Sequence, residues 1–283
     1  MKLSSNIFRF QKEFGIKKTI DIFSDAGFEG IDFNLDMPEY QENDYPKEYY
    51  YELKDYAKSK GIGFYQTHAP FGYKVEDEIA KNHCFAEIVN AIRYSSYLGA
   101  DMMVVHPCRG MENYREAGTY DIMLEKNIDF YKRLIPYYEQ YGVKIAIENI
   151  GWCISDTADG LLDIYNNLNH EAFTICFDAG HAGVCGQDVV EMAKKFGSKI
   201  GCTHIHDNDG VNDYHTLPYY GVIDWESVMK ALAESGYDGN LNYEAGIFAN
   251  NLPRELCPDA AKYMAKVGKH LISRFNYYKG GNQ

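Results

Sequence analysis

Short apolar or β-branched runs alternate with longer stretches of helical spacing from one end of the chain to the other. The runs predict strands at Lys2–Ile7, Gly30–Phe33, Gly63–Thr67, Met102–Val105, Lys144–Ile147, Thr174–Phe177, Ile200–Ile205 and Asn240–Tyr243, bounded by Gly, Asp or Asn. Between them, Ile16, Ile20 and Phe23 form one helical stripe, and Ile122, Ile128, Leu134 and Ile135 predict a longer one. Several helical stretches stop at a glycine just before the next strand: Gly27, Gly61, Gly99, Gly142 and Gly236. Glycine there accepts the left-handed conformation that ends a helix. Asp224, ahead of Trp225 and Glu226, is expected to cap another helix.

Eight strand-helix repeats close into a barrel or spread into an open doubly wound sheet. The count favours closure, and no G-x-G-x-x-G follows the first strand to support a dinucleotide-binding open sheet. No linker, charge block or low-complexity segment divides the chain. The expectation is therefore a single α/β domain over residues 1–283, a (β/α)8 TIM barrel, with a frayed tail from Lys279 to Gln283.

Composition narrows the setting. The chain is 46% hydrophobic and 24% charged, as in soluble globular proteins. It has no run of about 20 apolar residues, and Met1–Gly15 is not expected to act as a secretory leader. Seven cysteines without a C-x-x-C pair read as reduced thiols filling core space, so a cytoplasmic location is expected, with no membrane partner. The net charge of −13, with Lys17, Lys18, Lys194 and Lys195 on solvated helix faces, argues against nucleic acid as a partner. Homo-oligomer formation is left open.

In such a barrel, chemistry sits at the C-terminal ends of the strands. Strand 3 ends in Thr67-His68, strand 4 in Val105-His106, strand 5 in Ile147-Glu148-Asn149 and strand 6 in Phe177-Asp178 with His181 just beyond. Strand 7 carries Thr203-His204-Ile205-His206-Asp207, and strand 8 ends in Tyr243-Glu244. Six of the nine histidines (His68, His106, His181, His204, His206 and His215) lie at or just past strand ends, whereas His83, His170 and His270 fall in or beside helices. Carboxylates converging in a partly buried mouth need a cation or mutual protonation. A mixed imidazole and carboxylate shell suits Mn²⁺, Zn²⁺, Co²⁺ or Fe²⁺ better than Ca²⁺. A divalent-metal site is the expectation. Asn149 either orients substrate or closes a turn. Arg9 and Arg109 are expected at the surface, and Phe71 and Trp152 are candidate walls of a sugar pocket.

These motifs resemble the xylose isomerase-like TIM-barrel superfamily, which includes sugar isomerases, ketose 3-epimerases, inosose dehydratases and endonuclease IV. The resemblance runs over essentially the whole chain. It is carried by Ile147-Glu148-Asn149, Asp178-Ala179-Gly180-His181, His204-Ile205-His206-Asp207-Asn208-Asp209-Gly210, Asp213-Tyr214-His215 and Tyr243-Glu244. It implies one divalent ion held by Glu148, Asp178, His204 and Glu244, with His181 touching the substrate. Glu148 and Glu244 would exchange protons with carbon, and the metal would stabilise an enediolate. His68, His106, His206 and His215 are the further expected substrate contacts.

Two departures qualify the resemblance. Gly210 stands where similar ketose 3-epimerases place an arginine, which argues against free-ketose 3-epimerisation. The nine positions His68, His106, Glu148, Asp178, His181, His204, Asp213, His215 and Glu244 also match the endonuclease IV set that holds three zinc ions. Additional metal at His181, Asp213 and His215 is therefore an alternative. The leading expectation is a metal-dependent sugar or cyclitol isomerase, epimerase or related lyase. An endonuclease IV-like phosphodiesterase and a non-catalytic sugar-binding barrel are the alternatives. The sequence leaves the identity of the sugar, and its phosphorylation, undetermined.

Overall fold

The computed structural model describes residues 1–74, 77–111 and 113–280. Eight parallel strands form a nearly closed barrel: β1 (Leu3–Asn6), β2 (Gly30–Asn34), β3 (Gly63–His68), β4 (Met102–Val105), β5 (Lys144–Glu148), β6 (Phe173–Asp178), β7 (Ile200–His204) and β8 (Leu241–Tyr243). Each overlaps its predicted run, so strand count and order match the sequence reading. Neighbours pair in sequence order, β1 pairs with β8, and the β7–β8 seam is joined at Ile205 and Tyr243. There Ile205 N–H donates to the Asn242 carbonyl at 2.8 Å and Glu244 N–H to the Ile205 carbonyl at 3.2 Å.

At least one helix follows every strand, and the last, Cys257–Gly280, packs against helices Trp225–Glu234 and Ile16–Ala26 to complete the outer ring. No helix among the described residues is long and apolar enough to cross a membrane. All five helix-ending glycines adopt positive φ. Asp224 caps its helix, accepting from Ser227 N–H at 3.3 Å. Gly142, at φ +71°, has open space where a side chain would project. Gly142→Ala should therefore cost about 1 kcal/mol through backbone strain alone, read as a drop of about 2–4 °C in thermal midpoint.

One predicted stripe does not hold. Ile122 is 44% exposed, and Met123, Asn127, Phe130 and Tyr131 form the inner face of helix Ala117–Lys132. Steps of six residues turn a helix by about 240° per step, so Ile122 and Ile128 cannot share a face with a helix continuing to Leu134. The helix ends instead at Lys132 and a second one, Ile135–Tyr141, begins past Leu134. Of the expected frayed tail, residues 281–283 lie outside the described residues, and Lys279 and Gly280 are helical.

Strand periodicity places the site. Side chains two residues apart along a strand share a face. Val104, Ala146, Cys176 and Cys202 form a separate small buried cluster with Met102 packed against it. Each precedes by two residues a strand-end polar group: His106, Glu148, Asp178 and His204. The same two-residue step links Asp32 to Asn34, Gln66 to His68 and Asn242 to Glu244. The layer beneath the mouth is thus apolar along β4–β7 and polar along β2, β3 and β8.

Candidate functional site

Glu148, Asp178 and His204 end three successive strands and are fully buried, and Glu244 follows β8 at the edge of the mouth. One potential ligand atom from each of these four lies within 4.8 Å of the others. Asp178 divides its oxygens. Oδ1 accepts from His181 N–H at 2.6 Å, capping the short helix Ala179–Val184, and Oδ2 lies 3.7 Å from His204 Nδ1. His204 Nδ1 also faces Glu148 Oε1 at 3.2 Å and Glu244 Oε2 at 3.3 Å. Glu148 Oε1 and both His204 ring nitrogens are buried without a directed hydrogen bond among the described residues. Orphaned buried polar atoms are costly unless something pairs them. Glu148 Oε1 and His204 Nδ1 converge on one point with Asp178 Oδ2 and Glu244 Oε2, and this donor set fits a borderline divalent cation.

Imidazoles surround Glu148. His106 Nε2 lies 3.1 Å from Oε2, His181 Nδ1 3.0 Å from Oε1, and His68 Nε2 3.7 Å from Oε2. Burial alone would raise this carboxyl, yet the charge of His204 and hydrogen bonds from His106 and His181 hold it well below the usual carboxylate range. Burial would likewise lower His68, but Glu148, Asp36 and Glu244 push it up to about 9.

A second group lies beside the first. His181, His206, Asp213 and His215 also bring one ligand atom each within 4.8 Å of the others. Asp213 Oδ2 sits 3.3 Å from His181 Nε2 and 3.0 Å from His215 Nε2, and the two imidazoles hold its carboxyl below the usual range despite partial burial. His206, an expected substrate contact, lies against Asp178 and His215. Its ring is fully buried, stacked on His215 at 3.8 Å, and its Nε2 faces both Asp178 oxygens at 3.0 and 3.1 Å. A methyl group on Gly180 would overlap this ring, so the glycine of the Asp178–His181 motif makes room for it. His206 braces Asp178 through Nε2, while its Nδ1 is buried without a hydrogen-bond partner among the described residues.

A cavity of about 360 Å³ opens at the mouth, lined by Asn6, Arg9, Asn34, Asp36, Phe71, His215 and Glu244 among others. Of the two glutamates, Glu244 reaches this cavity and Glu148 lies below it. Phe71 lines it as expected, whereas Trp152 is two-thirds exposed and borders a smaller recess with Phe71 and His106. Arg9 pairs with Glu13 at 3.0 Å. Asn149 closes the strand ends: its amide donates to the Asp178 carbonyl and its oxygen accepts from Asp178 N–H, both at 2.8 Å.

Two residues with structural consequences were missed by sequence reasoning. Asp32, inside the apolar run of β2, faces His204, and a lone carboxylate within a predicted strand was the available signal. Asp207 accepts from Asn208, Tyr219 and Ile223 N–H groups and from Trp225 Nε1 at 3.0, 3.0, 3.2 and 2.7 Å. It thereby ties down the loop carrying Asp213 and His215.

Comparison with known proteins agrees with this architecture. An inosose isomerase of Bacillus velezensis is 22% identical over 293 residues, covering 97% of this chain and 98% of that one. Among solved structures, a D-tagatose 3-epimerase-like protein superposes with a TM-score of 0.80 at 23% identity, covering 98% of both chains. The IolI protein with a bound zinc atom superposes with a TM-score of 0.79 at 22% identity, covering 98% of this chain and 99% of that one. The model of the xylose isomerase-like TIM barrel matches residues 20–267. The eight-stranded barrel with acidic and imidazole side chains at its mouth belongs to the xylose isomerase-like TIM-barrel family.

Proposed function

We propose that this protein is a divalent-metal-dependent isomerase or epimerase of a sugar or cyclitol. The observation that carries the reading is the convergence of Glu148, Asp178, His204 and Glu244 beneath a cavity large enough for a monosaccharide. The inosose isomerase relatives and sugar epimerase neighbours support the substrate class. Those four side chains would hold the ion. When bound, it would polarise a carbonyl and its neighbouring hydroxyl and stabilise the negative charge left by departure of the α-proton.

The protein groups supply the rest. Glu244, at the cavity, and Glu148, beneath it, stand at the ends of strands β8 and β5, three positions apart around the ring, and both reach His204 Nδ1. One glutamate, as carboxylate, takes the α-proton, and the other, as the neutral acid, returns a proton to the opposite face or the adjacent carbon. His215 lines the cavity where substrate would lie, and His106 borders the smaller recess that shares Phe71 with it. His68 and His181 flank the Glu148 carboxyl at 3.7 and 3.0 Å.

Metal-free protein should take up about one ion of the Mn²⁺, Co²⁺, Fe²⁺ or Zn²⁺ type per chain, counted by elemental analysis after dialysis. Anomalous scattering should place it among Glu148, Asp178, His204 and Glu244. Two further ions, one at His181, Asp213 and His215, would favour the three-metal phosphodiesterase reading instead.

A further inference from the structure

Beneath the proposed metal site the barrel interior carries a polar group where its other half is apolar. Asp32 of β2 is fully buried. Its Oδ2 accepts from Gln66 Nε2 at 3.0 Å and from Asn242 Nδ2 at 2.9 Å, and lies 3.3 Å from His204 Nε2, within pairing distance though without a directed hydrogen bond. Its Oδ1 has no partner among the described residues. Burying a carboxylate this completely is costly, and two neutral amides do not offset its charge. The remaining neighbour that can carry positive charge or donate a ring proton is His204.

His204 presents two faces. Nδ1 looks toward Glu148, Asp178 and Glu244, and Nε2 looks down at Asp32 alone. An imidazole that ligates a cation through one nitrogen must carry its proton on the other, and an acceptor there fixes the tautomer, aims the ring and raises its basicity. We infer that Asp32 is a positioning residue: it accepts the Nε2 proton of His204 and so directs Nδ1 into the metal site. Gln66 and Asn242 hold the Asp32 carboxylate in place for that task. The inference rests on the metal-centre reading of the mouth.

The experiment is Co²⁺ binding to metal-free protein, followed by its visible absorption bands and by competition with a chromophoric chelator. Asp32→Asn keeps the volume and one oxygen but loses the charge. It should weaken Co²⁺ binding on the order of 10-fold or more and shift the bands, while circular dichroism shows a folded barrel. Gln66→Leu removes a support of the network without touching His204, and should lower the thermal midpoint with a much smaller effect on affinity. If Asp32→Asn binds Co²⁺ as wild type does, with the same spectrum, the positioning role is overturned while the metal centre stands. If wild type itself takes up no Co²⁺, both readings fall.

A second measurement covers the case in which Asp32→Asn does not fold. In wild type loaded with ¹¹³Cd²⁺, nitrogen NMR should show the metal coupled to His204 Nδ1 and a proton retained on Nε2. Coupling to Nε2 overturns the inference.

Discussion

Glu148→Gln and Glu244→Gln are each expected to lower turnover by about 10²–10⁴-fold with the metal ion saturating, the usual cost of losing a positioned acid or base. Glutamine keeps an oxygen that can face the ion, but it cannot take a proton from carbon near neutral pH. The two variants should differ in metal affinity. Glu148 is buried among His68, His106, His181 and His204, so its neutral replacement leaves imidazoles without their shared counter-charge. Glu244 lies at the cavity edge, and its loss should weaken the ion less. Measuring rate against metal concentration separates affinity from chemistry. On a suitable ketose or inosose, wild type should wash solvent deuterium into the carbon beside the carbonyl, and neither variant should. Near-normal exchange in a metal-loaded variant would reduce that glutamate to a ligand, and another group would have to be the base.

Asp207→Ala should produce the largest loss of stability among single changes near the mouth. The side chain is fully buried and accepts from three backbone N–H groups and the Trp225 indole. Each buried donor left unpaired costs about 1–3 kcal/mol. Water entering the vacated space would recover part of that. A net loss of about 3 kcal/mol is expected, or roughly 6–12 °C in thermal midpoint for a domain of this size. Because the lost carboxylate also accepts from Tyr219 and Ile223 N–H across the loop, the variant should loosen Asp213 and His215 as well. Differential scanning calorimetry reads the first effect, and hydrogen exchange over the 208–224 loop reads the second. An unchanged midpoint with undiminished protection would show that the loop is held by its other contacts.

The architecture was legible because its causes are local. A strand buried on both faces must be a short apolar run, and a helix must end where a residue can turn left-handed, as at Gly99 and Gly142. Eight such units in sequence order constrain the closure, since parallel neighbours need right-handed crossovers. The strand-end rule then collected Glu148, Asp178, His204 and Glu244 at one rim without any knowledge of distance. The misread stripe at Ile122 shows the limit: apolar residues are common enough that a few can suggest a face that the helical angle forbids.

What the sequence by itself determined is the barrel, its eight strands and the rim on which polar side chains gather, because periodicity and turn chemistry act between residues close in the chain. Tertiary structure alone decided how those side chains divide the work. It sank Glu148 beneath the cavity and left Glu244 at its edge, set His206 against Asp178, turned Asn149 into a clasp between strands and brought Asp32 under His204. These assignments depend on barrel radius, strand stagger and the packing of loops between residues tens to hundreds of positions apart, as with Asp32 and Asn242. No local pattern carries that information. A difference of one residue in register would exchange the inward and outward faces and remove each contact.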